Sequence, residues 1–245
     1  MTEKEKFKKK IIEITGSKNN IPGIYNYCDR WCEHCNMTQY CSNFQLGKEM
    51  GWDGEKNDLE NEKFWNRLSM VFEATFEMVS ESAKEKGIDL NNLPDVERLK
   101  HIDSEVETIS HDYSHKIIKW LDENSDAISQ KAEQIAIVSK DKLVQFTDAI
   151  EVIQWYSIFI STKIHRAHFE LDNRDEDFPD DNQGTAKIAL IAISRSIQSF
   201  TYIYNNWHEK EDEILEFLST LSKTKRIMLS KFPDAMDFKR PGFDD

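Results

Sequence analysis

Ala186–Trp207 reads AKIALIAISRSIQSFTYIYNNW, and Leu143–Leu171 reads LVQFTDAIEVIQWYSIFISTKIHRAHFEL. Neither stretch contains glycine or proline. Both are apolar around most of the circumference of a 3.6-residue wheel rather than along one stripe, which is the pattern of a helix buried at the centre of a bundle. Polar residues interrupt both, and no run of eighteen apolar residues occurs anywhere, so neither is a membrane span. Two such helices need amphipathic partners to cover them, and the flanking sequence supplies these.

Working outward, Asp58 is placed to cap a helix presenting Phe64, Trp65, Leu68, Phe72, Phe76 and Val79 at three- and four-residue spacing, with Gly87 placed to end it. After Pro94, a second amphipathic stretch carries Val106, Ile109, Tyr113, Ile117, Trp120 and Leu121, and a shorter one carries Ala127, Ile128, Ile135 and Ile137. Beyond the second buried helix, Ile214, Leu215, Phe217, Leu218, Leu221, Ile227, Met228 and Leu229 mark a last amphipathic helix before a tail with Pro233 and Pro241. At the other end, the lysines of Met1–Lys10 read as the solvated face of a short helix ending near Ile14.

Composition agrees with this reading. Eight glycines and five prolines among 245 residues amount to roughly 5%, where about 12% is usual, which disfavours sandwiches, barrels and doubly wound sheets. Residues 16–58 hold most of the glycines and every cysteine. The expected fold is therefore all-α: a bundle of about five or six helices over residues 58–245, preceded by an irregular cysteine-rich metal-binding flap in residues 1–57. The formal charge of −13 disfavours nucleic acid and anionic membrane as partners. Met1–Lys10 lacks the apolar core of a secretory signal, which predicts a cytoplasmic, thiol-reducing setting.

The chemistry-bearing motif is local. Cys28, Cys32, Cys35 and Cys41 fall within fourteen residues, in the spacing C-x3-C-x2-C-x5-C, and the chain has no other cysteine. In a reducing compartment such a group reads as a metal site rather than a disulfide pair. Thiolates select zinc or iron–sulfur over calcium or magnesium. Structural zinc usually staples two knuckles a dozen or more residues apart, whereas closely spaced cysteines can wrap a cubane, so a [4Fe–4S] cluster is the first expectation and zinc the alternative. His34 is a possible substitute for one thiolate. Tyr25, Tyr27, Trp31, Tyr40 and Phe44 either shield such a site or dock the flap.

The C-x3-C-x2-C triplet resembles the cluster-binding signature of radical S-adenosylmethionine enzymes, but the alternating strands and helices of that family and its glycine-rich segment are missing, so no activity is carried over. The phrase IPGIYNYCDRWCEHC is similar to one found in a set of uncharacterised bacterial proteins. That likeness extends to TAKIALIAISRSIQSF and RPGF and covers about a quarter of the chain. It implies no activity, substrate or partner.

Elsewhere, His111 and His115 have the i,i+4 spacing of a metal-binding helix face but lie opposite the apolar residues, which predicts solvent exposure. A sector with Thr147, Glu151, Gln154, Ser161 and His165 is either the strip that meets water or the lining of a polar cavity with Glu151 and His165 as acid–base groups. A similar strip runs through Lys187, Ser194, Gln198, Thr201 and Asn205. Arg195 falls outside it and, if buried, needs a carboxylate, with Asp148 or Glu151 as candidates. No Glu-x-x-His pair supports a carboxylate di-iron bundle, and the acidic loop Asp172–Gly184 lacks the glycine turn and distal glutamate of an EF-hand. The functional expectation is a metal-binding helical protein whose [4Fe–4S] cluster serves electron transfer or redox sensing. The alternative is a zinc-stabilised helical module that binds another protein without catalysis; whether the chain is an enzyme stays open.

Overall fold

The computed structural model describes residues 3–50, 62–92, 101–173 and 180–244. Asp58 as a cap, Pro94 as a break and the middle of the acidic loop, residues 174–179, lie outside the described residues. The described chain is all-helical, with eight α-helices: α1 Glu3–Thr15 and α2 Ser42–Glu49, then, in the stretch expected to form the bundle, α3 Glu62–Glu85, α4 Glu105–Glu123, α5 Ser125–Val138, α6 Lys140–Asp172, α7 Asp181–Asn206 and α8 Glu211–Lys231. The unanticipated helix is α2, eight residues that periodicity cannot distinguish from a loop. None of the described helices is long and apolar enough to cross a membrane.

The helices fall into two compact units. One unit comprises Met1–Tyr25 and Arg30–Arg98; the other comprises Asn26–Asp29 and Leu99–Asp245. Helix α3 thus groups with the N-terminal residues, and a four-residue piece of the cysteine loop groups with the later helices.

In the N-terminal unit, α1 and α3 run side by side, tied by Lys4 to Glu77 and by Lys8 to Glu81 at 2.8 Å. Arg67 Nη1 donates to the carbonyl of Met50 at 2.9 Å, joining α3 to the end of α2. Among its described residues the buried side chains are few: Ile14, Ile24, Trp31, Ala74 and Ala83. The apolar stripe expected to anchor α3 in a bundle is instead open, with Trp65 48%, Phe72 67%, Phe76 69% and Val79 51% exposed. The face of α3 turned to α1 carries Ala74 and the lysine-paired glutamates, so the stripe points another way.

The C-terminal unit holds the substantial core. Phe146, Ala149, Ile153, Tyr156, Ile160, Ile164 and Ala167 recur along α6 at three- and four-residue spacing and are buried. They meet Ala189, Ala192, Ile193, Phe200 and Ile203 of α7, whose small residues admit close approach of the two helices. Helices α4 and α8 cover this pair with Tyr113, Ile117 and Trp120, and with Ile214, Phe217, Leu221 and Met228. Phe200 stacks on Phe217 with ring centroids 5.3 Å apart, and Trp120 meets Trp207 edge-on at 6.1 Å. Each fully buried aliphatic or aromatic side chain contributes about 1.5–3 kcal/mol. Central burial holds along the first half of α7, while Arg195, Gln198, Thr201 and Asn205 further on are exposed, and in α6 Val144 and Ile158 remain exposed because α4, α5 and α7 cover only part of its circumference.

Candidate functional site

Cys28, Cys32, Cys35 and Cys41 are half-buried and none is in a disulfide. Cys28 belongs to the segment grouped with the C-terminal unit, while Cys32, Cys35 and Cys41 belong to the N-terminal one. Two 3-10 turns, Cys32–His34 and Thr38–Tyr40, shape the loop, and Cys35 and Cys41 follow them in extended backbone. The Met37 N–H donates to Cys35 Sγ at 3.4 Å, an i to i+2 contact that fixes the sulfur over the turn. Trp31 is buried and packs edge-on against the His34 ring at 4.5 Å. Arg30 has φ 58°, the left-handed region that side-chain-bearing residues rarely adopt, so the chain reverses sharply just before Trp31.

Among the described residues, the group of three or more His, Cys, Asp or Glu side chains whose ligand atoms all lie within 4.8 Å of one another is not the cysteines. It is His101, Asp103, Glu107 and His165, all within the C-terminal unit. His101 and Asp103 precede α4, Glu107 sits in its first turn, and His165 comes from the second half of α6. His101 Nε2 and His165 Nδ1 both donate to Glu107 Oε1, at 2.7 and 2.9 Å. Asp103 Oδ1 lies 3.7 Å from His101 Nε2 and 4.0 Å from His165 Nδ1. On its far side, His101 Nδ1 donates to Asp172 Oδ2 at 3.0 Å.

Glu107 is only 5% exposed. Burial favours its neutral form, yet the main-chain N–H of Ser104, 2.8 Å from Oε2, and the imidazole of His101 together hold its carboxyl below the usual range. The same Glu107 and then Asp172 push His101 above the usual imidazole value, because its charged form donates to both. The fixed point of the arrangement is a capping box, Ser104-x-x-Glu107, at the start of α4.

Glu151 and His165, the acid–base pair considered from sequence, are not brought together. They lie fourteen residues apart on α6, roughly 21 Å along its axis, and both side chains are exposed. Thr147 and Gln154 are exposed as well, so this sector is mainly the water-facing strip of α6. His111 and His115 are exposed, as their spacing opposite the apolar face implied, with their Nε2 atoms 3.2 Å apart.

Arg195 does not pair with Asp148 or Glu151. Its Nη1 donates to Asp29 Oδ2 at 2.7 Å, and the hydroxyl of buried Tyr156 donates to the same oxygen at 2.7 Å. Arg195 is half-exposed, so the need for a buried countercharge does not arise. Lys187, placed by its wheel position on a polar strip, is buried instead. Its Nζ donates to the carbonyls of Met236 and Phe238 and pairs with Asp244 at 2.8 Å, which pins the C-terminal tail.

Sequence reasoning named His165 and missed His101, Asp103 and Glu107. The Ser104-x-x-Glu107 signature ahead of the apolar run of α4 was the available signal, and it points to a helix start rather than to a ligand. No family model, curated protein or solved structure matches this chain.

Proposed function

We propose that this chain is a metal-binding helical protein in which Cys28, Cys32, Cys35 and Cys41 hold a [4Fe–4S] cluster for electron transfer or redox sensing. The observation that carries the reading is the C-x3-C-x2-C-x5-C spacing of all four cysteines. Ligands of this kind gather as the metal binds, so spacing is the relevant quantity in a metal-coupled loop. The Met37 N–H aimed at Cys35 Sγ supports it, since hydrogen bonds to sulfur are one control on a cluster's potential. The left-handed backbone at Arg30 supports it further, because strain of this kind collects at functional loops.

A second reading, zinc in the same thiolates, is favoured by the thin core of the N-terminal unit. Five buried side chains among its described residues, two of them alanines, leave a small unit in want of a staple, and structural zinc supplies folding free energy directly. In that reading the chain is an interaction module for a protein partner and performs no chemistry.

Anaerobic purification followed by iron, sulfide and zinc analysis tests both. The first reading expects a brown protein absorbing near about 400 nm, with iron and sulfide in equal amounts. A colourless protein with one zinc per chain that Cys32→Ser loses replaces it with the second. Cys32→Ser should lose the metal in either case; full occupancy in that variant, or neither metal in the unmodified chain, overturns both.

A further inference from the structure

We propose that His101, Asp103, Glu107 and His165 bind one divalent transition-metal ion, at a site separate from the cysteine loop and wholly within the C-terminal unit. The donor set is two imidazole nitrogens and two carboxylate oxygens. Imidazoles favour zinc and its first-row neighbours over calcium and magnesium, and the lack of thiolate in the set separates it from the soft site.

The ligand atoms are already spaced for an ion. Tetrahedral ligands bonded at about 2.0–2.1 Å stand roughly 3.3 Å from one another. The separations between the imidazole nitrogens and the carboxylate oxygens, 2.7, 2.9, 3.7 and 4.0 Å, straddle that value. Movements of about 0.4–0.7 Å, two pairs opening and two closing, bring these four separations to the tetrahedral value, and all four ligand atoms already lie within 4.8 Å of one another. Glu107 contributes a buried anionic oxygen, and the exposed His165 and Asp103 leave the ion a route from solvent.

The surroundings are built in the same sense. Asp172 accepts from His101 Nδ1, the carboxylate–histidine arrangement that fixes a ring's tautomer and directs its other nitrogen to a metal. The Ser104 N–H holds Glu107 Oε2, which leaves Oε1 for the ion. Both imidazoles now donate to that one oxygen, so hydrogens occupy the place the dication takes. On binding, His101 releases its Nε2 proton to solvent, and His165 presents Nδ1 in its Nε2–H tautomer. The ion then bridges the segment before α4 to the distal half of α6.

Calorimetric titration of the full chain with Zn²⁺ tests the assignment, read as a difference between variants so that metal taken up by the loop cancels. His165→Ala, at an exposed position, and His101→Ala should each bind one equivalent fewer than the unmodified chain. Asp172→Asn should keep the equivalent but weaken it about 10–100-fold. His111→Ala should bind as the unmodified chain does, and Cys32→Ser should keep this equivalent while losing the one in the loop. Far-UV circular dichroism confirms that each variant is folded. Unchanged stoichiometry and affinity in His101→Ala and His165→Ala overturn the proposal, as does loss of the equivalent in Cys32→Ser or no zinc uptake by the C-terminal unit's ligands in the unmodified chain. Because the loop and this site are removed by different substitutions, failure of one leaves the other standing.

Discussion

A Cβ placed on Gly184 would lie 2.6 Å from Cδ1 of Tyr27 and 2.8 Å from Cε1 of Phe238, closer than real methyl groups approach ring carbons. The glycine sits in the first turn of α7, and the two rings, with centroids 4.7 Å apart, close over its bare backbone. Tyr27 is held there by its hydroxyl, which donates to Asp181 Oδ1 at 2.5 Å. Helix propensity alone would make alanine the better residue by about 1 kcal/mol, so the sign of the substitution separates propensity from packing. Gly184→Ala should destabilise by about 1–3 kcal/mol, because the rings are fixed and must shift. Urea unfolding measures it; an unchanged or higher midpoint means that the rings move freely.

At the scale of elements, the ends of α6 and α7 meet through charge. Arg166 Nε donates to Glu170 Oε1 and its Nη2 donates to Asp181 Oδ2, both at 2.5 Å. Burial, and then the nearby Asp181, push Glu170 up to about 7 from its ordinary 4.5, whereas Asp181 is lowered by its donors despite its burial. The folded state therefore binds more protons than the unfolded chain between pH 4.5 and about 7, and stability falls as pH rises through that window. Asp181 acts oppositely, losing its contribution only as pH falls below the usual carboxylate range. Glu170→Gln should flatten the decline, leaving the variant about 1–2 kcal/mol better off at pH 8 than at pH 5 relative to the unmodified chain, given about 1.4 kcal/mol per pKa unit and partial solvent screening. Denaturant unfolding at the two pH values reads this out, and parallel pH dependences would sink it.

These elements also show what sequence could and could not convey. The periodicity of α6 and α7 was legible because the burying faces, Phe146 through Ala167 and Ala189 through Ile203, are each local to one helix. The exposed stripe of α3 was misread for the same reason: Phe72 and Phe76 have core spacing whether or not a neighbour covers them. The cysteine motif was legible as a local pattern. The His101–Glu107–His165 group was not, since its ligands come from two helices and a preceding segment, and only tertiary packing gathers them.

Over the whole molecule, two units of unequal core should not unfold as one. The α4–α8 unit buries Tyr113, Phe146, Tyr156, Phe200 and Phe232 completely, or within 2% of it, while among the other unit's described residues the buried side chains are Ile14, Ile24, Trp31, Ala74 and Ala83. Stability rises with apolar area removed from water, and a small unit with little of it is marginal without a staple. Thermal unfolding followed by calorimetry should therefore show two transitions. The lower belongs to the N-terminal unit and should move down further when thiolate-bound metal is stripped by a chelator, because a ligand that binds only the folded form stabilises in proportion to the logarithm of its excess. His101→Ala distinguishes the two metal sites in the same experiment: it should leave the lower transition where it is and remove any metal-dependent shift of the upper one. A single transition, with calorimetric and van't Hoff enthalpies equal, would mean that the two cores are energetically joined, and that a staple in the cysteine loop supports the whole chain.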